Sequence, residues 1–384
     1  MAFVSADNEE VRSLARSVAE SRLADPPGAL TDDAFSPEKV QALAKAGFLG
    51  MGLPKSLGGA DASAVDLVLV TEELARISTS AAFVFSAQNG LAAKAIASHG
   101  TQAMHDKYIP GILDGSVLTA WAMSEPGGGS DVAHMRTAAR TVGDEVALTG
   151  EKTWISMAEH AGVFVVIARF DGIEGMTGLG AVVVDRNTPG LDVGPHIETM
   201  GINGSGMASV FMDDCRVSAE NIIIPAGGYK TLLNIMSGER IVSNPPISLG
   251  IAGAAFDAAT AHLLAREAFG QPLADFQGLR WRLADLAVDL EAARLLVYRA
   301  AHNVDRGNIS IAEAAMAKIA ANEAAIRITD AALQMHGASG YTKEVGIERL
   351  ARDARGMAIG DGTVEIQRNL LATTLLRSRS SATR

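Results

Sequence analysis

The chain has 384 residues, of which 33 are basic and 44 acidic, giving a net charge of −11. A length of this order buries a large core and divides into two or three domains. The acidic balance excludes a general polyanion binder but leaves room for a local basic pocket that takes a phosphate-bearing ligand.

Cys215 is the single cysteine, which excludes an intramolecular disulfide and a cysteine-cluster metal site and points to a reducing, cytoplasmic location. The opening residues, MAFVSADNEEVRSLAR, place acids where a secretory signal would be apolar. No uninterrupted apolar run is long enough to cross a bilayer.

From Asn8 to about Gly115 apolar residues recur at helical spacing, as in Val11, Leu14, Ala15 and Val18, then Val65, Leu67, Val68 and Leu74. Asp25-Pro26-Pro27-Gly28, Leu53-Pro54 with Gly58-Gly59, and His99-Gly100 mark helix ends. From about Leu118 to Asn221 the period shortens. Glu145–Leu148, Val163–Ile167, Ala181–Val184 and Ser209–Met212 are short runs of strand length separated by turn residues. Strands without intervening helices suggest a compact β domain rather than βαβ units.

From Lys230 helix returns, with one long amphipathic face through Leu283, Leu286 and Leu290 and another over Ala312–Leu333. Alanine-rich helices of this kind suit a bundle. The expected class is α+β, with domains at 1–117, 118–225 and 226–384 and a disordered tail from Arg377 to Arg384.

Five motifs carry possible chemistry. AWAMSEPGGGSD, Ala120 to Asp131, cannot be regular helix or strand, so its backbone N–H groups are free to face a ligand. Read alone it is a plain glycine-rich turn. In GEKTWIS, Trp154 offers a flat face and Ser156 a polar handle on the same side of a strand, although tryptophan in a strand is more often core. MGINGSG followed by VFMDDCRVSAEN reads as turns feeding a strand. REAFGQPLADFQ places Arg266, Phe269 and Gln277 at a helix-turn-helix junction, where Arg266 suits a pyrophosphate or an ordinary surface ion pair. Last, QMHGASGY leads into RDARGMAIGDGTVEIQRN, where Asp361 stands between Gly360 and Gly362 at a helix break.

Together, in this order and spacing, these motifs resemble those of the acyl-CoA dehydrogenase family of flavoproteins from about Asn8 to Thr373. The resemblance implies an N-terminal helical domain, a central β-barrel-like domain and a C-terminal four-helix bundle, assembled as a homotetramer or homodimer. It implies FAD held without a G-x-G-x-x-G turn. Trp121, Met123, Ser124 and Ser130 would touch the flavin side and its phosphate end, and Trp154, Ile155 and Ser156 the ring system. Arg266, Phe269 and Gln277 would come from a neighbouring subunit. Gln334, His336, Gly337 and Ala338 would hold the adenosine and pyrophosphate end, with Thr363 and Glu365 completing the site. Ala338 departs mildly from the family's second glycine. Ser130, Arg240, Gly360 and Gly362 would lie toward the substrate.

The implied reaction is α,β-dehydrogenation of an acyl-CoA or acyl-carrier-protein thioester, with an electron-transfer flavoprotein as acceptor. A carboxylate takes the α-proton while the β-hydrogen leaves as hydride to flavin N5, and a partly desolvated base has its pKa raised toward that of the substrate. Asp361 is the leading candidate for that base, with its N–H polarising the thioester carbonyl. Most members carry glutamate at that position, after a tyrosine. Aspartate is shorter by roughly 1.5 Å, a displacement that can cost about 100-fold unless the missing wall at Gly360 admits a closer substrate. Glu239 in MSGERIV competes, because a minority of members, such as isovaleryl-CoA dehydrogenase, carry the base there on a bundle helix. Its plain alternative is an N-terminal helical acid paired with Arg240. Pro245-Pro246 shortly afterwards would break a helix interior and reshape the acyl pocket.

Two other readings share the fold. A flavin-dependent oxidase is suggested by the related nitroalkane oxidases, which use aspartate at this position, and a non-catalytic subunit of a heteromeric dehydrogenase is disfavoured by the nearly complete motif set. Hydrolase and zinc chemistry lack G-x-S-x-G and H-E-x-x-H, and no metal site is expected.

Overall fold

A computed structural model describes residues 3–25 and 33–382, so the expected helix stop at Pro26-Pro27-Gly28 lies outside the described residues. Six helices come first: α1 (Ala6–Val18), α2 (Pro37–Lys45), α3 (Ala64–Ile77), α4 (Thr79–Asn89), α5 (Leu91–His99) and α6 (Gln102–Asp114). Their starts are written in the sequence. Ser5 and Ser63 form capping boxes with Asn8 and Asp66, while Ser36, Ser78 and Thr101 cap α2, α4 and α6. Gly115 ends α6 at φ +78°, a conformation that costs glycine nothing.

The β segment contains β1 (Leu118–Ala122), β2 (Ala138–Val142), β3 (Glu145–Ile155), β4 (Ala161–Phe170), β5 (Leu179–Asp185), β6 (Leu191–His196), β7 (Ala208–Ser218) and β8 (Ile222–Ile224). Its sheet order is β6-β7-β3-β2-β4-β5-β8, with β1 lying parallel to β4. Strand β4 is buried on both faces. Val163, Val165 and Ile167 pack with α5 and α6, whereas Phe164, Val166 and Ala168 join the main core. Double burial explains why β4 reads as a continuous apolar run rather than an alternating one.

In β3 the alternation fails where it matters. The register slips between Lys152 and Ile155, and Trp154 has φ +55°. Trp154 is 52% exposed at this bulge and Ile155 is buried, and β3 ends at Ile155, so Ser156 lies in the following turn rather than two residues along the same strand as expected.

The last helices are α7 (Tyr229–Val242), α8 (Asn244–Ala265), α9 (Gln277–Asp305), α10 (Ile311–His336), α11 (Ile347–Met357) and α12 (Val364–Ala382). By length and hydropathy Tyr229–Ala265 is apolar enough to cross a membrane, yet it breaks at Ser243, and more than half of its most apolar window is inside the fold. Pro245 and Pro246 fall in the first turn of α8, where a missing N–H leaves no helical hydrogen bond unmade. They start a helix rather than break one. Helix α3 packs against α8 and α9, which explains why it is buried nearly all round.

Between α8 and α9 stands a β-hairpin, β9 (Glu267–Ala268) with β10 (Gln271–Pro272), in place of the expected helix-turn-helix. Phe269 and Gly270 at its tip have φ +55° and +82°, the signs a tight two-residue hairpin turn requires. Helix α12 continues to Ala382, so the expected disordered tail is helical up to that residue, and Thr383 and Arg384 lie outside the described residues.

Candidate active site

Asp361 occupies the turn that separates α11 from α12. Its φ is +56° and that of Gly362 is +81°. The Asp361 carbonyl accepts from Arg240 Nε at 3.3 Å and from Gln367 Nε2 at 3.5 Å, while its side chain is exposed. Thr363 precedes the next helix, its hydroxyl accepting from the Ile366 N–H, and the Glu365 carboxyl is held below its usual range by its own backbone N–H and then by Thr363.

Below the turn is a buried polar chain. Lys318 Nζ donates to Asn322 Oδ1 at 2.8 Å and to the Met357 carbonyl at 3.0 Å. Asn322 donates to Asn244 Oδ1 and Ser248 Oγ, and Asn244 donates back to the Met357 carbonyl at 3.0 Å. Burial pushes the Lys318 ammonium down to about 8, against the pull of Asp361.

Glu239 lies in the last turn of α7, not at a helix start. Its partner is Lys94 of α5, at 2.7 Å from Oε1, and not Arg240. Its Oε2 is buried without a hydrogen-bond partner. Burial raises the carboxyl's pKa, with Lys94 opposing. The neighbouring Arg240 is buried, and desolvation lowers its guanidinium against the attraction of Asp361.

The β segment brings the first two motifs together. Lys152 Nζ, fully buried, donates to Glu125 Oε1 at 2.9 Å and to the Met123 carbonyl at 3.0 Å. The Arg136 and Thr137 N–H groups also donate to Glu125, at 2.7 and 2.8 Å. Burial takes Lys152 down to about 8, with Glu125 pulling upward. The glycine run is thus tied from beneath and open above, since a Cβ at Gly127 or Gly128 would meet nothing within 4 Å. Trp121 Nε1 is buried with no partner, beside Met123 and Val132 in the same apolar cluster.

A third group lies at the ends of α8 and α10. His336 is buried and stacks on His262 with ring centroids 4.3 Å apart. Desolvation lowers His262, with His336 and Arg266 adding to it, so the hairpin and the end of α10 adjoin. Gln334, Gly337, Ala338, Arg266, Phe269 and Gln277 are exposed there.

Three family models together match most of the chain: the N-terminal domain of acyl-CoA dehydrogenase over residues 5–116, its middle domain over 120–215 and its C-terminal domain over 226–376. The chain belongs to the acyl-CoA dehydrogenase family. It is an oxidoreductase acting on acyl-CoA. It is 38% identical to the mitochondrial short-chain specific acyl-CoA dehydrogenase of Homo sapiens, over 90% of this chain and 84% of that one. It is 35% identical to the caffeyl-CoA reductase-Etf complex subunit CarC of Acetobacterium woodii, over 98% and 100% respectively. The structure of butyryl-CoA dehydrogenase from Megasphaera elsdenii superposes with a TM-score of 0.91 at 31% identity, covering 97% of this chain and 99% of that one.

Acyl-CoA dehydrogenases are flavoproteins, and the residues of this member fit a flavin. The unpartnered Trp121 indole N–H, the outward face of Trp154 and the uncovered Gly127-Gly128 backbone offer a donor, a flat apolar wall and a phosphate cradle. Motif reading missed Lys94, Asn244, Lys318 and Asn322, and gave no role to Glu125 or Lys152. One signal was present: Lys318 and Asn322 interrupt the alanine run AAMAKIAANEAA at a spacing of four, which puts both on one helix face.

Proposed function

We propose that this protein is an FAD-dependent acyl-thioester dehydrogenase in which Glu239 takes the α-proton. The observation that carries this reading is Glu239 itself: buried, raised in pKa by desolvation, with Oε2 free, and adjacent in sequence to the arginine that binds the Asp361 turn. Desolvation that raises a carboxylate's pKa toward that of the substrate strengthens it as a proton acceptor, which is what abstraction beside a thioester needs. Trp121, Met123, Ser124, Ser130, Trp154, Ile155 and Ser156 would hold the flavin side of FAD. Gln334, His336, Gly337, Ala338, Thr363 and Glu365, with Arg266, Phe269 and Gln277 of a second copy, would hold the remainder. Bound there, FAD supplies the acceptor for the β-hydrogen as hydride.

The chain's own contribution is to orient the thioester and hold the proton. Arg240 fixes the Asp361 carbonyl, which directs the N–H groups of the Gly360–Gly362 turn, and such donors stabilise developing negative charge on the carbonyl oxygen. The acyl carrier is CoA or a carrier protein, the electron acceptor is an electron-transfer flavoprotein, and the enzyme works as a homotetramer or homodimer in the cytoplasm.

Asp361 as the base is the second reading, favoured by its place between two glycines on a pinned turn. Anaerobic bleaching of the flavin by short, branched and aromatic acyl-CoAs, and by one acyl-carrier-protein thioester, separates the two. Glu239→Gln is expected to abolish bleaching and Asp361→Asn to retain it. The reverse result moves the base to Asp361, and a wild-type flavin that no thioester bleaches removes the dehydrogenase reading.

A further inference from the structure

Six carboxylates are buried among the described residues: Asp33, Glu72, Glu73, Glu125, Glu239 and Asp353. Five have both oxygens engaged. Arg294 and Tyr298 donate to the two oxygens of Glu72, and Arg16 reaches both of Glu73. Arg136 donates to one Glu125 oxygen, and Thr137 and Lys152 to the other. Ser78 and Ser80 divide Asp33, and Ile202 and Thr79 divide Asp353. Glu239 alone keeps an oxygen without a partner. Leaving a buried acceptor unpaired costs roughly 1–3 kcal/mol, so a fold that satisfies the other five has an exception that needs a cause.

Lys94 supplies the asymmetry. Its ammonium reaches Oε1 of Glu239 at 2.7 Å, from the second turn of α5, and does not bond Oε2. Gly90, at the start of that helix, has no side chain to cover Oε2, where a Cβ would stand 3.5 Å away. Several charged groups on α7 and the elements around it are committed elsewhere. Arg240 is turned to the Asp361 carbonyl, Lys318 to Asn322 and Met357, Glu72 to Arg294, Asp185 to Tyr108, and Asp305 to the first N–H groups of α3. Among the described residues, Lys94 is the one charged group acting on Glu239.

We infer that Lys94 is a positioning residue for the reaction: it holds Oε1 of Glu239 and keeps the carboxylate ionised, reserving Oε2 for the substrate's α-proton. The α-C–H bond breaks, its electron pair stays on the acyl group, and the proton ends on Oε2 while Oε1 remains bound to the ammonium. The inference rests on Glu239 being the base.

Infrared difference spectra of the holoenzyme across pH, with Glu239→Gln assigning the band, report the ionisation of this carboxyl directly. In Lys94→Met the protonated band is expected to persist to higher pH by a unit or more. Flavin bleaching should fall about tenfold or more at neutral pH and recover in alkali, and Lys94→Arg should stay near wild type. An unchanged Glu239 band in Lys94→Met, or a rate loss equal at every pH, overturns the inference. A shifted band together with a Glu239→Gln enzyme that still bleaches supports Lys94 as the group that sets Glu239's charge and refutes Glu239 as the base.

Discussion

Lys318 and Asn244 donate to one acceptor, the carbonyl of Met357, each at 3.0 Å. Met357 is the last residue of α11, so this carbonyl has no helical partner of its own, and two buried donors from α10 and α8 satisfy it. The Asp361 turn is therefore anchored from inside the bundle four residues before the carboxylate.

Lys318→Met tests that anchor through pH. The ammonium is lowered from 10.5 to about 8 by burial, so the folded state favours neutral lysine. Stability from this group is present above pH 10.5 and lost as pH falls through about 8. Denaturant unfolding of the wild type should weaken across that window by a few kcal/mol, on the scale of 1.36 kcal/mol per unit. The variant's slope should be shallower but not flat, because Lys152, also near 8, keeps its own share. An unchanged slope removes Lys318 from the account.

Lys152→Met should cost more, about 3–5 kcal/mol, because it leaves Glu125 buried opposite no cation. The loop from Ser124 to Asp131 loses its foundation, so the purified variant should retain less flavin per chain, read from its visible absorbance. Adding Glu125→Gln should recover part of the stability. A double variant no better than the single one argues that the pair is not coupled as its geometry states.

Much of this architecture was legible in the chain. Serine and threonine caps, the β-branched runs and the alanine-rich helices each announce their element through local chemistry. Motif order carried the family. What escaped was tertiary. Lys94 and Glu239 are 145 positions apart and meet because α5 and α7 pack together, and no spacing rule reports that. The surroundings of Trp154 escaped for a different reason: a register slip at positive φ ends the regular ladder there, and neither Thr153 nor Ile155 is a turn residue that would announce it. The prolines after Glu239 suggest a break in the sequence alone because a residue's place in a helix depends on where the helix starts, and Ser243 resets that start.

Asp353 offers a pH test of how the segments join. Its carboxylate accepts from the Ile202 N–H at 2.6 Å and from the Thr79 hydroxyl at 3.1 Å, linking α11, the loop before β7 and α4. Burial raises it to about 6 despite those donors. A raised carboxyl contributes stability that is fully present below its unfolded value near 3.8 and lost as pH rises through about 6. Asp353→Asn, which cannot ionise, should flatten the stability curve between those limits. Thermal melts of both proteins at intervals across the window check it, and parallel curves would dismiss Asp353 as the titrating group.

The outer face of α9 makes the last prediction. Trp281, Val288 and Leu295 are 63%, 68% and 40% exposed and recur every seven residues, so they line up as one stripe along the helix. Phe269, 97% exposed at the hairpin tip, stands at the same end of the helix as Gln277. Large apolar side chains in a row are costly in water, and such a patch is a common mark of a contact surface. If a second copy covers this one, Val288→Glu places a charge in the seam. The mass by light scattering should then fall to a smaller species, with flavin lost alongside, because Arg266, Phe269 and Gln277 would no longer reach the neighbouring site. A variant that keeps the wild-type mass but loses flavin separates cofactor binding from assembly. One that keeps both shows that α9 faces solvent in the working enzyme.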